Sequence, residues 1–492
     1  MVCVAGLSLD AQSPPSPEDV ARRQYASGLE FLRAGKSAEA LKDFQTVVES
    51  YPASSVADDA LLAIARYQLE ATRDPAAAQI TAESVLKKFP ASDSVAMAYV
   101  IAGQALVEQG LTQPNVDAAL ASFERVPRLF PGTPAVAPAV FAAGETLRRL
   151  NRCDEALRHL SRVALEYPRS AWAARSKLAG AMCLVARNRV PDAITALYAV
   201  TALFPDSDSA RTARDRGTIL YRLHVRPPRE PAFVASDRSI GSGARVRDVA
   251  ALTIGPDATL FVAGRTGVLA YRPDTPRALM AGDMRGLALD RRSRIVAAQR
   301  ALLVQQAAGS TTSATPLLLT LTVPRSDGPA RTLTDLSAVA VLSTGERLVA
   351  DREGRTVYKF TETGKFVAPF AAVRAGRIAI SPTDAVAVLD RDTKTISLFD
   401  GKGRAAGKIA ARGTGYELTA PADLAFDAFG HLYVLDRTGV VVFAPEGQTP
   451  LVTFADPPRA DGGLRNATAL AIDPAGRLYI YDAGAERIVV YE

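Results

Sequence analysis

If this chain performs chemistry, it has few residues to do it with. Its 492 residues include three histidines, His159, His224 and His431, and three cysteines, Cys3, Cys153 and Cys183. Imidazoles and thiolates make metal sites when short spacings bring them together, and thiols two residues apart make redox pairs. None of these six has such spacing, and the histidines read as isolated structural or surface residues with no common site. No phosphate-binding glycine loop opens a helix, and no Gly-x-Ser-x-Gly elbow joins a strand to a helix. Gly241-Ser242-Gly243 is glycine-rich but lies outside any strand-to-helix unit and reads as a loop.

Aspartates are the remaining chemical feature. Asp351, Asp390, Asp436 and Asp482 recur at the ends of similar apolar runs. Such a carboxylate can accept from backbone amides of the turn that follows it, which is reason enough for it to recur. A metal site would instead need dissimilar residues converging on one point. The sequence therefore assigns no catalytic, cofactor-binding or metal-binding residue, and the expectation is a protein that is not an enzyme.

The elements carrying these residues are repetitive. Tyr51-Pro52, Phe89-Pro90, Phe130-Pro131, Tyr167-Pro168 and Phe204-Pro205 follow one another at intervals of 38, 41, 37 and 37 residues. Eleven residues before each aromatic stands Ala40, Ala78, Ala119, Ala156 or Ala193, and four before it Val47, Val85, Val126, Val163 or Val200. Between them, seven before the aromatic, come Phe44, Ala82, Phe123, Leu160 and Leu197. Offsets of three, four and seven share one helical stripe. Proline disfavours helix at the residue before it and so stops each helix at the aromatic. The hydroxyls Ser54, Ser92, Thr133, Ser170 and Ser207 follow two residues later and are expected to cap the next helix. A period near 40 implies a solenoid of helical hairpins, none able to bury its apolar face alone.

The run Gly28, Phe31, Ala40, Phe44, Pro52, repeated in part as Gly144, Ala156, Pro168, resembles the tetratricopeptide repeat, with Gln24 at the position usually tryptophan-like. The hydroxyl after the aromatic-proline pair is similar to the subclass found in bacterial outer-membrane assembly lipoproteins and the Tol–Pal coordinator protein. The resemblance covers residues 21–224 and implies protein partners. It also implies a groove lined by the first helix of each hairpin. Gln24, Phe31, Arg33, Tyr67, Gln104, Arg148, Arg149 and Arg187 are its candidate partner-binding residues. Arginine, amide and aromatic groups suit the carbonyls and carboxylates of an extended peptide.

After residue 224 the pattern changes. Residues 225–231, with Pro227, Pro228 and Pro231, form a semi-rigid linker. From residue 232 to 492 the apolar period becomes alternating, and six copies centred on Gly264, Ala298, Asp351, Asp390, Asp436 and Asp482 imply a six-bladed β-propeller. The pattern in the last two copies resembles the NHL-type propeller repeat. Related lactonase-like propellers hold a metal with a Glu, an Asn and an Asp, a set that has no counterpart assignable here. Because the last copy ends with its third strand at Glu492, residues 232–236 are expected to supply the missing outer strand and close the ring.

The net charge of +6 is small for this length, and there is no basic run to bind nucleic acid. No segment is apolar for long enough to span a bilayer. Residues 1–20 read as a truncated export signal (1–11) followed by a polar, proline-rich stretch. Export would place the protein in the periplasm or cell envelope of a bacterium, the alternative being the cytoplasm. In an oxidising compartment Cys153 and Cys183, on facing helices, are a candidate disulfide. The expected function is a non-catalytic protein-interaction scaffold. The alternatives are a propeller hydrolase or lyase with a repeat targeting arm, and a cell-wall polysaccharide binder.

Overall fold

The computed structural model describes residues 16–227, 230–240, 247–272, 275–290, 292–307, 316–325, 328–445, 447–456 and 463–492. The expected export segment with Cys3, linker residues Pro228 and Arg229, and Gly241-Ser242-Gly243 lie outside the described residues. The chain forms two compact units, Met1–Ala196 and Leu197–Glu492. Their boundary falls inside a helix rather than at the proline-rich linker.

Eleven helices occupy the described part of the first half: α1 (Pro17–Arg33), α2 (Ser37–Ser50), α3 (Ala57–Glu70), α4 (Pro75–Lys88), α5 (Ser94–Gln109), α6 (Gln113–Leu129), α7 (Val136–Arg149), α8 (Cys153–Glu166), α9 (Ala171–Ala186), α10 (Val190–Leu203) and α11 (Asp208–His224). The first eight make four hairpins. The alanine, Phe/Leu/Ala and valine stripe is buried in every second helix, from Ala40, Phe44 and Val47 onward. Each aromatic ends its helix as expected: the amides of Tyr51, Phe89, Phe130 and Tyr167 donate to Val47, Val85, Val126 and Val163.

The expected capping role of the hydroxyls needs correction. Only Ser207 caps its helix, accepting from the Ala210 amide at 3.1 Å. Instead Thr133, Ser170 and Ser207 donate to the carbonyls of Phe130, Tyr167 and Phe204 at 2.8–2.9 Å. The proline that stops the helix frees that carbonyl, and the hydroxyl satisfies it.

The propeller has six four-stranded antiparallel sheets. Their inner strands are Val249–Ile254, Gly286–Leu289, Leu336–Val341, Arg377–Ile380, Asp423–Phe426 and Ala467–Ile472, and together they line a central channel of about 240 Å³. The second strands end at Gly264, Ala298, Asp351, Asp390, Asp436 and Asp482, the six repeat centres. Ring closure occurs slightly later than expected. Ala235–Ile240 pairs with the last strand Arg487–Tyr491, and Val234 and Glu492 exchange both backbone hydrogen bonds at 3.0 and 2.9 Å. Phe233 is not in that strand; it is buried edge-on against Tyr433, with ring centroids 6.2 Å apart. An aromatic side chain gains more from that core than from an exposed edge.

Helix α11 belongs by its packing to the second unit. Ile219 and Leu223 join a core cluster with Phe233, Tyr433, Leu478 and Tyr491. Gly476, in a turn at φ +80°, makes room for it: a Cβ there would stand 2.4 Å from Ile219 Cγ1. Both the left-handed backbone and the close approach require glycine.

Candidate functional site

The groove candidates all lie on first helices or their ends: Gln24, Phe31 and Arg33 on α1, Tyr67 on α3, Gln104 on α5, Arg148 and Arg149 on α7, and Arg187 just after α9. Successive first helices touch, α3 with α5, α5 with α7 and α7 with α9, so they form a contiguous layer. Several candidates are already engaged. Gln24 donates to Asp43 at 2.6 Å, Arg148 grips Glu145 with two bonds at 2.6 and 2.8 Å, and Arg149 reaches Glu108 at 2.6 Å. Arg187 pairs with Asp154. A partner at these arginines therefore competes with carboxylates of the chain itself. Phe31 packs partly into the first-hairpin core, and Arg33 is exposed.

Cys153 and Cys183 do meet, in a buried cluster with Leu147, Leu160 and Ala179, and both are free thiols rather than a disulfide. Burial first, then the hydrogen bond with Cys153, push the Cys183 thiol above its ordinary value. Among the described residues one carboxylate group, Asp58, Asp59 and Asp93, is close enough to hold a cation. Asp59 is already bonded by Ser94 at 3.0 Å, and its pKa is raised, chiefly by burial. The repeat reading missed this group because its members fall at the starts of two successive first helices, α3 and α5.

The recurring aspartates bind backbone. Asp351 accepts from Gly354 at 2.9 Å, Asp390 from Asp392 and Thr393, and Asp482 from Gly484 at 3.0 Å. Asp436 and Asp482 also reach the preceding inter-blade connection, at Thr419 and Ala420 and at Arg465 and Asn466.

At the end of the channel where the inner strands begin, a cavity of about 930 Å³ opens among blades four, five, six and one. Arg377 spans it. Its guanidinium donates to Ala250 and Gly376 carbonyls and pairs with buried Asp423 at 3.2 Å. Asp423 accepts from Leu424 and Leu470 at 2.9 Å, and burial raises its pKa above the ordinary carboxylate value despite Arg377. Beside it lies Arg391, whose guanidinium donates to the Ala422 carbonyl. One signal in the sequence marks this mouth, an arginine opening an inner strand otherwise apolar, and the repeat reading passed over it.

The histidines require a second correction. His224 and His431, 207 residues apart in sequence, face each other with Nε2 atoms 3.2 Å apart. His431 Nδ1 contacts buried Asp427 at 2.8 Å, and Tyr433 donates to the same carboxylate at 3.3 Å. Arg222 and Arg216 of α11 donate to the Gly476 and Ala428 carbonyls at 2.9 and 3.3 Å. These contacts pin α11 to turns at the opposite end of the inner strands from the cavity. Burial, followed by the charge of His431, lowers the His224 pKa. No spacing rule could have joined these residues, because the fold alone brings them together.

Comparison with known proteins matches residues 17–137 to the YfiO family of outer membrane lipoproteins and residues 141–210 to a tetratricopeptide repeat family. Among solved structures, a gluconolactonase from Xanthomonas campestris is 20% identical over 54% of this chain and 98% of its own, with TM-score 0.41. Virginiamycin B lyase from Staphylococcus aureus is 12% identical over 52% of this chain and 84% of its own, with TM-score 0.38. A thermophilic tetratricopeptide protein of Thermus thermophilus is 18% identical over 41% of this chain and 98% of its own, with TM-score 0.34. No curated protein matches the sequence. Among the described residues no helix is long and apolar enough to cross a membrane. The first half of the chain is a tetratricopeptide solenoid similar to outer membrane lipoproteins, and the second half is a six-bladed β-propeller.

Proposed function

We propose that this protein is a non-catalytic interaction scaffold of the bacterial cell envelope, binding a protein partner along the first-helix layer of its solenoid. The observation that carries this reading is the contiguous layer formed by α3, α5, α7 and α9, of which α3 and α5 lie in the region similar to an outer membrane lipoprotein family and α9 in the region similar to tetratricopeptide repeats. Stacked repeats present such layers to extended segments of partners. Arg33 at the end of α1, Tyr67 on α3 and Gln104 on α5 would offer a partner cationic, aromatic and amide groups, while the arginines of α7 pair with Glu145 and Glu108.

Envelope location is the second half of the proposal, and it also sets the redox state of Cys153 and Cys183. A hydrolase or lyase reading would need an acid, a base or a metal set converging on the channel. The one buried carboxylate described at its mouth, Asp423, is committed to two amides and Arg377. That arrangement favours the scaffold.

The test is site-specific photocrosslinking in the full chain, in living cells, from positions 33, 67 and 104. One discrete adduct recurring at these positions, and lost on competition with the identified partner segment, supports the proposal. Adducts arising only from propeller positions would remove binding from the solenoid. A stoichiometric divalent metal whose chelation abolishes a hydrolytic activity would replace the scaffold with an enzyme.

A further inference from the structure

The cavity at the channel mouth has an uneven charge distribution. Its lining carries four cationic side chains, Arg247, Arg377, Arg391 and Lys394, against two acidic ones, Asp248 and Glu486. Two cations are committed: Arg247 pairs with Glu486 at 3.1 Å, and Arg377 with Asp423 at 3.2 Å beneath the cavity. Arg391 has the carbonyl of Ala422 as its acceptor and stands beside Arg377, with Arg352 adding a further positive field. Loss of water first, and then Arg377, push its pKa down to about 10. Like charges gathered at the mouth, with Arg247, Arg391 and Lys394 exposed, repel one another, and an anion placed among them relieves that repulsion. The remaining wall is made of small apolar residues, Ala250, Ala422 and Ala483 among them, and the Tyr481 side chain. Its volume is that of a site for a small organic ligand or a short peptide end.

We infer that the channel mouth binds a carboxylate-bearing ligand, its carboxylate seated between Arg391 and Lys394. A planar guanidinium fork matches a carboxylate, and the small apolar wall accepts the ligand's carbon skeleton. The site lies on the propeller and does not depend on the solenoid's partner. The carboxylate has two sources, a free organic acid or the C-terminus of a peptide, and the experiment separates them.

Isothermal titration of the full chain would use four probes: citrate, a pentapeptide with a free C-terminus, the same pentapeptide amidated, and inorganic phosphate. The inference expects saturable binding of citrate or of the free peptide, with the amidated peptide at least tenfold weaker. Arg391→Gln should weaken the bound probe tenfold or more. Lys394→Gln, at an exposed position that the fold does not need, should weaken it severalfold and so keeps the test valid if Arg391→Gln misfolds. Citrate binding without peptide binding assigns an organic acid, and the reverse assigns a peptide terminus. Three results overturn the inference: no binding by either carboxylate probe, binding by phosphate alone, or affinity unchanged in both variants.

Discussion

Gly103 on α5 and Gly180 on α9 are glycines within first helices, yet the same substitution to alanine should shift stability in opposite directions. A helix-interior glycine costs about 1 kcal/mol relative to alanine, so each change starts with that gain. At Gly180 little opposes it: the nearest atom to a new Cβ is Leu157 Cδ2 at 3.6 Å, an ordinary contact. At Gly103 the Cβ would lie 2.5, 2.9 and 3.0 Å from three ring carbons of Phe123. That ring is 1% exposed and wedged against Val107, Ala119, Ala142 and Ala143, so it has nowhere to go. Overpacking of this kind costs about 1–3 kcal/mol. Gly180→Ala should therefore gain up to ~1 kcal/mol, and Gly103→Ala should lose up to ~2 kcal/mol net. At roughly 2–4 °C per kcal/mol the two melting temperatures move apart by several degrees. Helical circular dichroism at 222 nm during urea and thermal unfolding of the full chain measures both. Gly103→Ala combined with Phe123→Leu should recover much of the loss, because the shorter side chain vacates the contested space. Equal shifts for the two single variants would refute the reasoning, since the ring contact would then exert no force.

Four further outcomes are expected. Gly476→Ala forces a Cβ onto a left-handed backbone and into Ile219, and should cost at least about 1–2 kcal/mol and raise hydrogen exchange across α11. The lowered His224 pKa means that its folded-state contribution is present above the unfolded imidazole value near 6.5 and is lost as pH falls through the lower folded value. His431, Asp427, Tyr433 and Arg222 face this site, so stability measured from pH 7 to pH 5 should fall in the native chain and fall less in His224→Gln. Deleting residues 234–240 removes the outer strand of the sixth blade and should lower the propeller's melting temperature while the helical signal of the repeats persists. Protein recovered from an oxidising compartment should weigh two daltons less than the reduced chain if Cys153 and Cys183 join; an unchanged mass there would leave them as packing residues.

Much of the fold was legible because both halves repeat. The aromatic-proline stops named the helix ends, and the six repeat centres named the ends of six second strands. Those signals are local: each depends on residues a few positions apart, where backbone conformation and side-chain periodicity act directly. The misreadings came where a local group had two local choices or a distant one. Thr133 and Ser170 turn back to the aromatic's carbonyl rather than forward to the next helix, and Ser207 does both, because the carbonyl freed by proline is close at hand. Phe233 left the closing strand for a core it shares with Tyr433. His224 and His431 meet only through the packing of α11, and Arg377 becomes a strut only when inner strands from blades one, four and five converge. Nothing in the spacing of those residues encodes such meetings.

Within the propeller, the places where one blade departs from its siblings are where the molecule does something besides hold itself together. Asp290 in blade two and Asp473 in blade six each accept from amides two and four residues on, and each binds the arginine at the fourth position through Nε at 2.6 Å. Blade five builds the same turn on Asp427 but places His431 at that position. The imidazole, held by Asp427, instead meets His224 of α11. The inner strand of blade four departs in the same way. It opens on Arg377, where blades one, two and three begin theirs with Val249, Gly286 and Leu336. One departure fastens a helix to the end of the propeller where that turn lies, and the other sets charge at the opposite mouth. A repeat that needed only stability would use neither, since burying Arg377 with Asp423 costs desolvation that an apolar pair would avoid. The substitutions are therefore best understood as the price of leaving one end of the channel open and charged while the other carries α11.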